Sequence, residues 1–98
     1  MPMPTWMLGK PITVEQYSAL MAQGAPAAGS AAAVYVGDLG VRVSRHVGAD
    51  RDKLRTFAVA NGCWDDRYGA LPNQGLVHMS VVNRLRAKVR KGHTISWT

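Results

Sequence analysis

Five cations fall within eight positions near the end of the chain: Arg84, Arg86, Lys88, Arg90 and Lys91. Leu85, Ala87 and Val89 alternate with them, and no acidic residue lies between positions 84 and 98. Long cationic side chains at this density do one kind of chemistry well. They neutralise phosphates, and arginine or asparagine among them can hydrogen-bond base edges in pairs. Residues 1–66 hold six basic and six acidic side chains, so the net charge of +6 comes from Arg67 and these five. Charge segregated in this way makes a local field whose natural target is a polyanion.

Other chemistry has weaker support. His46, His78, His93 and Cys63 are the conventional metal-ligand types, but their spacing matches no zinc pattern, and neither C-x-x-C nor H-x-x-x-H occurs. Asp65 and Asp66 beside Arg67 could hold a hard cation, although adjacent loop carboxylates are usually solvated or cap a turn. A metal-free ribonuclease site needs a histidine as general acid or base with arginines to stabilise the transition state. His46 with Arg42 and Arg45, or His93 near Arg90, has those residue types. The Gly37–Gly40 stretch lacks the lysine and hydroxyl of a phosphate loop. No cofactor is expected.

The elements that would position these residues fit one domain of 98 residues. Residues 1–12, with Pro2, Pro4 and Pro11, suggest an extended arm. Thr13 with Gln16 is a capping box that opens a helix, with Val14, Tyr17, Leu20 and Met21 towards the core and Gly24 as its stop. Residues 24–33 are small and uncharged and suggest a connection. Residues 33–47 suggest a β-hairpin turning at 37–40, because Val41 and Val43 alternate with polar positions. Arg42 would then share the outer face with Ser44 and His46. Asp50 caps a second helix ending at Asn61 and Gly62, with Arg51 and Arg55 one turn apart and facing out. Asn73 would cap a short turn over 74–79, and Ser80 would cap the basic helix over 81–91. Gly92 ends that helix, and residues 93–97 alternate as a closing strand.

On a helical wheel Val82, Leu85 and Val89 form a core stripe, and Asn83, Arg86 and Arg90 run along one side at i, i+3 and i+7. The order from Ser80 through the basic run and Gly92 to Trp97 resembles the recognition helix and first wing strand of a winged helix-turn-helix domain. The resemblance covers residues 80–98 and implies a helix lying in the major groove of DNA.

Together these features predict an α+β domain: an N-terminal helix, a β-hairpin, two further helices and a short C-terminal strand. The expected function is non-catalytic nucleic-acid binding by a small regulator or accessory factor, DNA before RNA, of a kind that suits a phage or mobile element. Arg84, Arg86, Lys88, Arg90 and Lys91 would contact phosphates, Asn83 would read a base, and Arg42, Arg45, Arg51 and Arg55 would widen the patch. A homodimer would strengthen so small a module. A second class is an inhibitor or adaptor that sets the basic helix against an acidic surface of a nucleic-acid enzyme, and a third is the small ribonuclease. One cysteine and no visible signal segment favour the cytoplasm. No apolar run is long enough to span a membrane.

Overall fold

The computed structural model describes residues 13–22 and 37–98. Among them are four α-helices: α1 (Val14–Ala22), α2 (Asp38–Val47), α3 (Arg51–Ala60) and α4 (Gln74–Arg90), with a 3-10 turn at Asp66–Ala70. No strand occurs among the described residues. The fold is therefore an all-α globule, which overturns the α+β expectation. The arm at 1–12, the connection at 24–33 and the first strand at 33–36 lie outside the described residues.

α4 is the hub, since α1, α2, α3 and the 3-10 turn all pack on it. Its own N-terminus is set by Asn73, whose side chain accepts from the Leu76 amide at 3.1 Å. The expected break at Ser80 is absent. The Ser80 hydroxyl donates back to the Leu76 carbonyl at 2.8 Å, so this serine lies inside a continuous helix and caps nothing.

The expected second strand of the hairpin is helix α2. Its valines favour strands in isolation, but Leu39, Val43 and Val47 recur at i, i+4 and i+8 and are all buried. Burying that stripe in the common core outweighs the β propensity of Val41 and Val43. Gly37 precedes the helix and Gly40 lies buried within it; neither turns a hairpin. α3 starts as expected: the Asp50 carboxylate accepts from the amides of Asp52 and Lys53. Gly62 and Gly92, at φ 66° and 91°, follow the ends of α3 and α4 in the left-handed conformation that suits glycine.

One core joins Leu39, Val43 and Val47 of α2, Leu54, Phe57 and Ala58 of α3, and Val77, Val81, Val82 and Leu85 of α4. Cys63 is buried with them, its Sγ 3.4 Å from the Ala58 carbonyl oxygen. The expected closing strand is an irregular tail, and no wing strand exists. Its main chain is held instead by a side chain: Asn61 donates to the Ser96 carbonyl at 2.9 Å and accepts from the Ser96 amide at 2.8 Å. Trp97 then packs against Phe57 and His46. No described helix is long and apolar enough to cross a membrane.

Candidate nucleic-acid interface

The cations of α4 are held on the helix by the buried stripe beneath them, Val81, Val82 and Leu85, with Val89 partly buried. They do not form one comb. Arg84 leans towards the loop after α3, where its Nη2 meets the Asp65 carboxylate at 3.3 Å and its guanidinium lies 5.4 Å from the Tyr68 ring centroid. Lys88 is half-buried against the end of α3, with its Nζ 3.0 Å from where a Cβ on Gly62 would sit. Asn83, Arg90 and Lys91 are exposed. Arg90 and Lys91 make no ion pair with a described residue.

Arg86 turns partly inward. Its Nη1 donates to Asn83 at 3.3 Å, which occupies the asparagine expected to read a base. Burial pushes the Arg86 guanidinium below its ordinary value, with Tyr17 opposing that shift and Arg90 adding to it. Tyr17 of α1 and His78 of α4 form a buried hydrogen bond between the phenol oxygen and Nδ1, their ring centroids 5.5 Å apart. Burial raises the Tyr17 hydroxyl against the opposing Arg86 charge; burial also lowers His78 to about 4, and there the Arg86 charge adds to the shift. Both are neutral near pH 7, and the His78 Nε2 has no hydrogen-bond partner among the described residues. At 4% exposure His78 is a polar group of the core and has no access to a substrate. No spacing rule in the sequence pairs residues 17 and 78; the only available signal was a histidine inside an apolar run.

The flanking arginines are divided between the surface and the interior. Arg42 and Arg45 lie on the exposed side of a helix, and Arg42 stands 4.6 Å from the Trp97 ring centroid. Arg51 faces inward in part: its Nε donates to Gln74 at 2.7 Å and its Nη1 to the Leu71 carbonyl at 2.9 Å, pinning the start of α3 to the start of α4. Arg55 is exposed as expected, but Arg51 does not join it. Asp65 is held by a forked contact from Arg67, Nη2 to Oδ2 at 2.7 Å and Nε to Oδ1 at 3.0 Å. Those bonds keep the Asp65 carboxyl well below the usual carboxylate range. It is thus engaged by arginines, and no group of three metal-ligating side chains forms among the described residues.

His46 stands edge-on to Phe57 and Trp97. It borders an open cleft of about 300 Å³ with Asp52, Lys53, Thr56 and Thr98. His93 is exposed after the end of α4. The structure thus brings together Arg84 with Asp65 and Tyr68, Arg86 with Tyr17 and His78, and Arg42 with Trp97. It leaves Asn83, Arg90, Lys91 and Arg55 at the surface. No protein-family model, curated protein or solved structure matches this chain.

Proposed function

We propose that the protein binds nucleic acid, DNA before RNA, through the exposed end of α4. The observation that carries this reading is the composition of the helix at residues 83–91: five cations, no acid, and a buried stripe fixing them to a folded core. Arg90 and Lys91 are the primary phosphate contacts, and Arg42 and Arg45 on α2 extend the positive surface. Arg84 and Arg86 supply field more than contact, because Asp65 and Asn83 already engage them, and half-buried Lys88 adds to the same field.

A mobility-shift titration with random-sequence duplex tests this reading. Binding appears at micromolar protein in about 50 mM salt, and the log–log salt slope falls by about one unit in Arg90→Ala and in Lys91→Ala. An unchanged slope in both variants removes this end of α4 from the interface. Absence of any shift at low salt favours the second reading, an inhibitor or adaptor that docks on an acidic protein surface.

A further inference from the structure

The sequence placed its DNA-reading helix at residues 81–91, yet the compact two-helix unit of this fold is elsewhere. α2 ends at Val47 and α3 begins at Arg51, so Gly48, Ala49 and Asp50 are the whole connection. Gly48 takes φ 63°, which a side chain disfavours, and Asp50 caps α3 at once. A three-residue connection that contains a glycine fits the short turn between the two helices of a helix-turn-helix. Both helices put their apolar stripes into the same core: Leu39, Val43 and Val47 from the first, Leu54, Phe57 and Ala58 from the second. Arg51 fixes the base of α3 to Gln74 and Leu71. The pair is tied together through one core and through Arg51.

The outward side of α3 is correspondingly clean. Asp52, Arg55, Thr56 and Val59 are exposed and recur at i, i+3, i+4 and i+7, so they share one face over two turns. The tail does not cover that face. Trp97 and Ser96 sit on Phe57 and Asn61, along one flank, and Thr98 borders a cleft beside Asp52 and Thr56. Arg55 and Val59 lie beyond it, and Val59 is 57% exposed.

We infer that α2 and α3 form a helix-turn-helix that reads duplex DNA, with Arg55, Thr56 and Val59 of α3 facing base edges in the major groove. This inference rests on the nucleic-acid reading and names the ligand and the residues that discriminate. The side chains have the chemistry. An arginine fork matches the O6 and N7 acceptors of guanine, and threonine and valine methyls contact the C5 methyl of thymine. Asp52 repels phosphate and, set over a base edge, accepts from the amine of cytosine. The surroundings have the sign: Lys53 lines the same cleft as Asp52 and Thr56, and Arg42 and Arg45 are exposed on the partner helix α2, where cations suit flanking phosphates.

The experiment is selection from a randomised duplex library with the full chain, followed by affinity measurements on the enriched and a shuffled duplex. The wild type enriches a short motif. Arg55→Ala lowers affinity for the enriched duplex roughly tenfold and relaxes preference at one position, while affinity for shuffled duplex changes far less. Val59→Ala relaxes a preference for thymine. All three side chains are exposed, so circular dichroism should match wild type in each variant. Enrichment without a motif overturns the inference, as does a motif that survives Arg55→Ala, Thr56→Ala and Val59→Ala unchanged. Retention of single-stranded RNA over duplex also overturns it and leaves the nucleic-acid reading standing. Failure to bind any duplex or RNA overturns both.

Discussion

The two halves of α4 differ in both charge and burial. Residues 74–82 carry no charged side chain apart from the neutral buried His78, and Val77, Val81 and Val82 are fully buried. Residues 83–90 carry four cations around one buried leucine, and Lys91 adds a fifth at the C-cap. The helix is thus divided along its length as well as around its circumference. The division follows the helix dipole, because cations near a C-terminus are stabilised by the unpaired carbonyls there. The basic half is therefore favourable with no ligand bound, which is how a protein can keep so many like charges together in its free state.

The sharpest way to break this comparison is to remove the buried leucine and one cation from the basic half. Leu85→Ala should cost about 2–5 kcal/mol in urea denaturation, as cavities in packed cores do. Arg90→Ala should change stability by at most about 1 kcal/mol. Equal costs would mean that the cations hold the fold together and the division is false.

A second test uses pH on the apolar half. His78 is lowered from 6.5 to about 4 in the folded state, mainly by burial. The unfolded chain then binds the proton more readily, so stability is full above pH 6.5 and falls as pH drops towards 4. The loss across that window is on the order of 3 kcal/mol by the linkage relation. Denaturation midpoints between pH 7 and 4.5 should fall in the wild type and stay level in His78→Gln. A flat wild-type profile would show that the imidazole is not held neutral by Tyr17, Arg86 and the core.

The smallest effect concerns the tail. Asn61→Ala removes both bonds to Ser96 and a third, from the asparagine amide to the Phe57 carbonyl. About 1–2 kcal/mol should be lost. Trp97 fluorescence should shift to the red as the indole leaves Phe57, measured by difference against Trp97→Phe. An unshifted spectrum would mean that Trp97 is held by its ring contacts alone.

The helix boundaries were legible where a single local interaction sets them. Thr13 and Gln16 bond reciprocally, at 3.1 and 3.2 Å, and Asp50, Asn73, Gly62 and Gly92 act where they were expected. The elements failed where tertiary burial decides. Val41 and Val43 satisfy a period of two over a few residues, while Leu39, Val43 and Val47 satisfy the helical period over nine, and only the core selects between them. The tail alternates like a strand but has no neighbouring strand among the described residues, and a side-chain amide holds its main chain instead. For the site, the density of charge was visible, and its partitioning was not. Asp65 is 19 positions from Arg84, and Tyr17 is 61 from His78. Separations of that size leave no periodic mark on a sequence.

The bond between Asn61 and Ser96 joins positions 35 apart, and the whole of α4 lies within the loop that it closes. Helix ends ordinarily fray, and the last turn of α4 is where Arg90 and Lys91 sit. Here the turn cannot unwind freely, because the His93 amide donates to the Lys88 carbonyl at 3.0 Å and the chain beyond it is fastened to α3. Opening that turn means releasing Trp97 and Ser96 together. Amide hydrogens there should exchange as slowly as the tail lets go, more slowly than those of an untethered helix end. The backbone that carries the cations at the tip of α4 is fastened before they meet anything, and the entropy of ordering that backbone is spent during folding.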